Sequence, residues 1–294
     1  MSGIVPEDPR IEVGLPPLGT LKTIEYLTDE LVRVIAPNPS PNTLDGTNTY
    51  LVLDRAGGTA LITDPGPVSD THFANVKSVL DEAKVEAVGI FLTHHHLDHS
   101  ETARLWSQNL GVGVSAFLER LVFGAGRALS DDDVFELGNK EIKVVATPGH
   151  VHDHLAFQMD TGHLLAGDHM LGRSTSVIAH PDGDLEKYLS SLVRVKELGS
   201  QIILPGHGPE ISKELSSGVI EYYIAHRHYR LAQIVSILDT EVPLHVDDLT
   251  RKIYGPELPE TLFTPAKQST RAALTYLVRM DVIEVDEDDR YSLI

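Results

Sequence analysis

Cysteine is absent from this chain of 294 residues. A zinc site built on thiolates, an iron–sulfur cluster, a thiol nucleophile and a disulfide framework are therefore excluded. Basic side chains are also scarce, since 24 lysines and arginines stand against 43 acidic residues, for a formal net charge of −19. A general binder of nucleic acid or of an anionic membrane needs a basic face, so the charge argues against both kinds of partner.

Long hydrophobic runs are missing too. No stretch approaches the ~20 apolar residues that a membrane-spanning helix needs. The first twenty residues lack both a basic start and an apolar run, so they do not read as a targeting segment. We therefore expect a cytoplasmic protein with no membrane partner. The 41% hydrophobic content is ordinary for a globular protein, and the length favours about two domains.

Strand-like and helix-like segments alternate irregularly through the first two thirds of the chain. Residues 31–35 and 49–54 are rich in β-branched residues, whereas residues 71–83 have apolar side chains at helical spacing. Strand hairpins within each half indicate a layered α/β architecture, not a purely parallel sheet. The other predicted strands are 59–63, 86–92, 112–117, 133–137, 141–146, 154–159, 163–167 and 202–204, and the other helices are 100–109 and 184–198.

The C-terminal part has a different pattern. Residues 209–238 predict one long amphipathic helix, followed by helices at 246–253 and 266–280 and a hairpin-like end at 282–293. Two helices and a hairpin in under sixty residues are the outline of a winged helix-turn-helix. The predicted domains are an N-terminal arm at 1–20, a main domain at 21–238 and a winged-helix-like domain at 239–294.

The unusual feature of the composition is its fifteen histidines, several of which follow predicted strands directly. The segment THHHLDH at 93–99 comes after the apolar strand 86–92. Imidazole and carboxylate groups are the ligands that borderline divalent metals accept. A loop at a strand end can turn its positions i, i+2, i+4 and i+5 toward one point, which predicts a metal site. In this loop those positions are His94, His96, Asp98 and His99.

Three further strand ends repeat this logic. His150 follows the turn Thr147-Pro148-Gly149, Asp168 follows Gly167, and His207 follows Pro205-Gly206. In each, glycine or proline ends the strand and leaves one histidine or aspartate exposed there. One such residue alone would be a weak signal, but four strand-end loops in one chain together indicate a metal centre.

These segments resemble the metallo-β-lactamase superfamily of metallohydrolases over about residues 24–212. The resemblance implies an α/β fold, the αββα sandwich, in which helices flank two mixed sheets and the metal site lies at one sheet edge. Five diagnostic elements occur in the family's order, namely Asp64 in TDPG, the loop His94-x-His96-x-Asp98-His99, His150, Asp168 and His207.

The resemblance also implies roles. Two zinc ions would share a bridging hydroxide, whose pKa falls toward ~7 and which acts as the nucleophile. Asp98 would also orient this hydroxide, and His154 or a metal-bound water would protonate the leaving group. Asp64 would hold a ligand imidazole through its other N–H. The implied ligands are His94, His96 and His150 for one zinc and Asp98, His99 and His207 for the other, with Asp168 bridging them.

Local stretches are similar to the lactamase-beta-2-like branch of the superfamily, which is related to glyoxalase II. The predicted C-terminal module matches this branch as well. True β-lactamases of this fold often have cysteine where this chain has Asp168, so we do not expect a β-lactamase. His152 is extra to the family pattern, and we interpret it as a surface or rim histidine. The similar stretches are 46–52 (GTNTYLV), 166–172, 205–209 (PGHGP) and 226–227.

Several functions stay open at this stage. The first is a dinuclear zinc hydrolase acting on a small ester or thioester, and the alternative is an endoribonuclease that prefers single-stranded RNA. Iron or manganese, in a mononuclear or dinuclear centre, could replace zinc. A metal-bound regulator that binds DNA is disfavoured, because residues 238–294 carry six basic against twelve acidic side chains. We expect no binding of duplex DNA, and we expect the module to shape substrate access or to pair subunits in a homodimer.

Overall fold

A computed structural model describes residues 6–199, 201–240 and 243–294. Two mixed β-sheets form its centre. In the first sheet four antiparallel strands are followed by two parallel ones, and in the second only the last pair is parallel. The first sheet contains β1 (Ile24–Thr28), β2 (Leu31–Ile35), β3 (Asn48–Asp54), β4 (Thr59–Thr63), β5 (Glu86–Phe91) and β6 (Gly113–Ser115). The second contains β7 (Val134–Leu137), β8 (Lys140–Ala146), β9 (Leu155–Met159), β10 (His163–Gly167) and β11 (Ile202–Pro205).

Helices cover the outer faces of both sheets. Val76 and Leu80 of one helix and Trp106 of another pack on the outer face of the first sheet. Tyr188 and Leu192 pack on the outer face of the second. The helices of this main part are α1 (Pro9–Glu12), α2 (Asp70–Ala83), α3 (Leu97–Ser100), α4 (Ala103–Leu110), α5 (Leu185–Glu197) and α6 (Lys213–Thr240).

The two sheets face each other across an apolar layer. Tyr50, Val52 and Phe91 of the first sheet are buried in one cluster with Val144 and Phe157 of the second. Since helices lie outside both sheets, the architecture is a four-layer αββα sandwich. The predicted fold class is confirmed.

The C-terminal part adds two helices and a small sheet, in which β14 pairs with both other strands. Leu274 and Ile283 of this part share one buried cluster with Tyr188 and Ile220 of the main part, so the apolar core continues across position 238. The division at 238/239 and the winged-helix assignment stay predictions. The elements are β12 (Leu244–His245), α7 (Val246–Tyr254), α8 (Glu260–Arg279), β13 (Ile283–Val285) and β14 (Arg290–Leu293).

Several elements differ from the sequence prediction. Helix α6 begins at Lys213 and not at 209, because Ile211 first pairs with Ile203 beside β11. Helix α8 begins at Glu260 and continues through Pro265, which the prediction had placed just outside the helix. Strand β1 was not predicted, because its half-exposed residues give little apolar pattern.

Part of the predicted N-terminal arm is docked on the main part. The Arg10 side chain is buried and donates hydrogen bonds to the carbonyl oxygens of Leu171 (2.5 Å) and Ser174 (2.7 Å). Residues 1–5 of the arm lie outside the described residues. Within the described ranges, no helix is long and apolar enough to cross a membrane.

Candidate metal centre

The predicted site residues follow the C-terminal ends of five strands, β4, β5, β8, β10 and β11. The two sheets meet at this edge, where the backbone N–H of Asn48 donates to the carbonyl oxygen of Gly206 at 2.8 Å. Thr47 and His207 form an isolated β-bridge beside it. The structure therefore brings one part of the predicted site from each sheet together. The residues that it gathers are Asp64, His94, His96, Asp98, His99, His150, Asp168 and His207.

The first group consists of three imidazoles and a carboxylate. Nδ1 of His96 lies 3.1 Å from Nε2 of His94 and 3.1 Å from Nε2 of His150. Nε2 of His150 is also 3.7 Å from Oδ2 of Asp168. One donor atom from each of these four residues lies within 4.8 Å of the others, so the group could hold a metal ion.

The second group lies beside the first. Nε2 of His99 and Nε2 of His207 are 3.3 Å apart. Oδ2 of Asp98 is 3.2 Å from the His207 nitrogen and 3.6 Å from the His99 nitrogen. These three residues also bring one donor atom each within 4.8 Å of one another.

The two carboxylate oxygens of Asp168 face different groups. Oδ2 faces His150, whereas Oδ1 lies 3.4 Å from Nε2 of both His99 and His207. Among the described residues, this buried Oδ1 has no hydrogen-bond partner. Gly206 makes the approach possible, because a Cβ at that position would lie 2.6 Å from the same oxygen.

The donor set fits divalent metal ions. With metal–nitrogen bonds of roughly 2.0–2.1 Å, two tetrahedral ligands lie about 3.3 Å apart, and the facing nitrogens of both groups have close to this spacing. The ring nitrogens of these histidines face one another around a carboxylate oxygen that has no hydrogen-bond partner. Without a cation between them, such an arrangement adds little to the stability of the fold. The arrangement is therefore suited to metal binding.

The second nitrogen of most of these rings is held by an acceptor. Nδ1 of His150 donates to the Val177 carbonyl oxygen (2.5 Å), and Nδ1 of His207 donates to that of Gly46 (3.1 Å). A proton on Nδ1 leaves Nε2 free as a metal ligand. His96 is the exception, since its Nδ1 is the atom that faces the group.

Asp64 anchors two of the rings from behind. Its Oδ2 accepts hydrogen bonds from Nδ1 of His99 (2.9 Å) and from Oγ1 of Thr93 (2.7 Å). Because Thr93 donates to Asp64, its hydroxyl accepts from Nδ1 of His94 at 2.9 Å. One buried carboxylate thus fixes His99 directly and His94 through Thr93, a residue that the sequence prediction did not single out.

The electrostatics of the two groups differ. Burial lowers the pKa of His94 and His150, and it lowers the pKa of His96 to about 4, so these rings are neutral at neutral pH. Burial acts the same way on His207, but the carboxylates of Asp168 and Asp98 outweigh it and raise the pKa to about 9.

The other members of the second group follow the same pattern. Burial is outweighed at His99 by Asp168, Asp98 and Asp64, which hold its pKa well above the usual range. Burial also opposes ionisation of Asp98, yet His99 and His207 lower its pKa to about 2. The carboxylate of Asp98 is therefore ionised at neutral pH and presents negative charge to a cation.

His154 lies behind Asp168 and is not part of either group. Its Nε2 accepts a hydrogen bond from the backbone N–H of Asp168 at 3.1 Å, so its proton is on Nδ1, which faces Oγ1 of Thr147 at 2.8 Å. Burial holds its pKa well below the usual value. The one proton of this neutral ring faces Thr147, so we propose a positioning role for His154, and its role as proton donor stays a prediction.

A cavity of about 330 Å³ opens in front of both groups. Ligand-type side chains lie at its base, and its walls combine apolar with uncharged polar residues from distant parts of the chain. Helix α8 contributes two of these wall residues. The sequence analysis expected the C-terminal module to shape substrate access, but it singled out neither residue. The base is formed by His96, Asp98, His150, Asp168 and His207, and the walls by Ser40, Asn42, Thr43, Leu171, Val177, Ala179, Pro265 and Gln268.

Comparison with known proteins gives related sequences and folds. The chain is 30% identical to "Beta-lactamase-like protein 2 homolog" of Caenorhabditis elegans over 279 residues, which are 92% of this chain and 91% of that protein. This agrees with the branch expected from the local stretches. The structure of a beta-lactamase domain protein from Burkholderia ambifaria has a TM-score of 0.80 at 20% identity and covers 98% of this chain and 97% of its own.

A second solved structure shares the fold. A metallo-beta-lactamase family protein from Thermus thermophilus gives a TM-score of 0.76 at 23% identity over 92% of this chain and 100% of its own. The model of the Metallo-beta-lactamase superfamily matches residues 42–207, which include every residue of the two groups. The chain therefore belongs to the metallo-β-lactamase superfamily, a family of metal-dependent hydrolases.

Proposed function

We propose that this protein hydrolyses a small carboxylic ester or thioester with two zinc ions, one in each group of ligand-type residues. The observation that carries the proposal is the cavity, which has metal-ligand side chains at its base and no charged residue among its walls. Asp168, with one oxygen toward each group, is suited to bridge two ions.

The chain's own residues would prepare the attacking water. Bound divalent ions supply the acidity, since they lower the pKa of a water molecule toward ~7 and polarise the carbonyl of the substrate. Asp98 faces the cavity and is more exposed than Asp168, with 30% against 12% of the side chain accessible. It can accept a hydrogen bond from that water and orient it toward the substrate.

The residues that line the cavity walls favour the binding of an acyl group over that of a nucleic-acid strand. Leu171, Val177, Ala179 and Pro265 offer apolar contact, and the amide of Gln268 can donate to a substrate oxygen. An RNA strand would need cations for the phosphates that flank the scissile one. No lysine or arginine lines the cavity among the described residues, and the net charge is −19.

The acidic C-terminal part supports the enzyme over a DNA-binding regulator. Three of its basic side chains are already paired with carboxylates within the protein. A protein that reads duplex DNA has to place such cations on phosphates instead. The pairs are Lys267 with Asp247 (2.9 Å), Arg271 with Asp289 (2.7 Å) and Arg279 with Asp184 (2.6 Å).

A substrate comparison tests the proposal. The zinc-loaded protein is assayed with an acyl thioester, a lactone, bis-p-nitrophenyl phosphate and a single-stranded RNA. We expect the acyl substrates to be hydrolysed with the higher kcat/KM, and we expect Asp168→Asn to lower that value by more than ~100-fold, because an amide cannot bridge two ions by charge. Asp160→Asn, in the exposed turn after β9, is the matched control and should keep full activity.

Preferential cleavage of the RNA would overturn the proposed substrate class, although the protein would still be a hydrolase. Full activity of Asp168→Asn toward every substrate would overturn the assignment of the centre.

A further inference from the structure

A second, much smaller cavity lies among helices α6, α7 and α8 and the start of α5. Its volume is about 20 Å³, which is enough for a water molecule or a monatomic ion. Two arginines of α6, Arg227 and Arg230, line it, and among the described residues no aspartate or glutamate does. The other lining residues are uncharged, namely Ile178, Leu185, Ile234, Ile253, Tyr254, Ser269, Thr270 and Ala273.

Arg227 is the more deeply buried of the two arginines, with only 5% of its surface accessible. Its Nη2 donates to the carbonyl oxygen of Ser176, and its guanidinium carbon lies 5.1 Å from the centre of the Tyr188 ring. Its Nε is buried and has no hydrogen-bond partner in the part of the chain that the structure describes. One carbonyl oxygen and one ring face therefore leave this guanidinium without an anionic acceptor.

Arg230 is in a similar situation. Its Nη1 donates to Oε1 of Gln233 at 2.8 Å and to the carbonyl oxygen of Ile253 at 3.2 Å. Its guanidinium carbon lies 4.6 Å from the centre of the Tyr254 ring. Its Nε is also buried without a partner within the described ranges. No carboxylate of the described residues lies within 4.0 Å of the charged nitrogens of either arginine, although the chain has 43 acidic residues.

Other buried arginines of this chain are accompanied by a carboxylate. Arg10 is paired with Asp8 at 2.5 Å, and Arg33 is paired with Glu210 at 3.1 Å. A buried charge without a counter-ion is costly, and two cations three positions apart on a helix also repel each other. Arg227 therefore departs from the pattern of the other two, and the cavity beside it has room for the missing anion.

We propose that the cavity beside Arg227 and Arg230 binds a monatomic anion, with chloride as the ligand. Guanidinium N–H groups are charge-assisted donors for such an ion, and the apolar residues around the cavity strengthen this attraction by keeping bulk water away. The volume accommodates one ion of this size but not a phosphate group. The site requires neither the zinc ions nor the substrate of the proposed function.

A bound anion would join helices behind the wall of the larger cavity. Ile178 follows the wall residue Val177, and its backbone N–H donates to Oγ of Ser269 at 3.1 Å. Ser269 in turn follows the wall residue Gln268 on α8. The ion would therefore stabilise the packing of α6 against the segments that carry these walls.

Thermal unfolding at constant ionic strength tests the site in solution, with chloride replacing gluconate, which is too large for the cavity. The midpoint temperature of wild type should rise by about 2–4 °C as chloride increases from zero to about 0.2 M, because only the folded state binds the ion. Arg227→Gln and Arg230→Gln should each lose most of this rise. Arg104→Gln, at an exposed position of α4, is the matched control and should keep it.

Because Arg230 is less buried, its variant tests the site even if Arg227→Gln does not fold. An equal rise of the midpoint in wild type and in Arg230→Gln would overturn the proposal.

Long-wavelength anomalous diffraction from wild-type crystals grown in chloride identifies the occupant. The sulfur atoms of this chain belong to four methionines, so a chlorine peak beside the two guanidiniums would be unambiguous. We expect such a peak. Density at this position without an anomalous signal would show that a water molecule fills the cavity, and it would contradict the anion site whatever the state of the zinc centre.

Discussion

The backbone N–H of Asp168 donates a hydrogen bond to Nε2 of His154, so the ring of His154 fixes the peptide that carries the Asp168 carboxylate. The same ring is tied to Oγ1 of Thr147 through its other nitrogen. We therefore interpret His154 as a residue that supports the candidate centre by positioning Asp168.

His154→Leu should lower kcat, because it leaves the Asp168 N–H buried without a partner and lets the carboxylate shift. We expect a loss of about 10–100-fold in kcat, with a smaller change in KM. The shape of the pH–rate profile should stay as in wild type, since His154 donates no proton. Loss of the basic limb of that profile in the variant would contradict this and restore His154 as the proton donor.

Gln268→Ala should raise KM by roughly 3–10-fold with little change in kcat, because the lost amide contact is a neutral hydrogen bond to substrate. The Gln268 side chain reaches the cavity from α8. Gln108→Ala on the exposed face of α4 is the matched control for the same substitution in a helix. Identical Michaelis constants for the two variants would show that α8 does not contact the substrate.

The stability of the fold should fall as the pH drops below 6.5, in part because of His72. Burial lowers the pKa of this histidine from 6.5 to about 4, so the unfolded state binds more protons than the folded state between these pH values. The contribution of His72 is thus fully present above pH 6.5 and is lost progressively down to pH 4.

Urea unfolding of wild type and His72→Asn at pH 7.0, 6.0 and 5.0 measures this effect. The substitution should be destabilising at pH 7, since the ring packs on Trp106 and bonds to Oγ1 of Thr49. The free energy of unfolding should nevertheless decrease less steeply with acidification in the variant. Parallel pH dependences would show that His72 does not titrate differently in the two states.

The sequence could indicate which ligand-type residues lie at one edge, because each sits where an apolar strand ends in glycine, proline or a histidine run. His94, Asp168 and His207 could be assigned to one edge from local patterns and the family resemblance alone. The role of Asp64 was expected from the family resemblance, and in the structure its carboxylate lies beneath the loop after β5, where Oδ1 accepts a hydrogen bond from the backbone N–H of Thr93.

The individual wall residues of the cavity could not be predicted from the sequence, although the C-terminal module was expected to shape substrate access. Gln268 lies far along the chain from the loops after β5 and β8, and it reaches the site only because α8 shares a buried core with α5 and α6.

The measurement that tests the dinuclear centre most directly is anomalous diffraction at the zinc edge from crystals of the zinc-loaded protein. We predict one peak among His94, His96 and His150 and a second among Asp98, His99 and His207, with one oxygen of Asp168 directed at each. Absence of anomalous density from both positions, or a single peak that both groups of ligands share, would contradict the account.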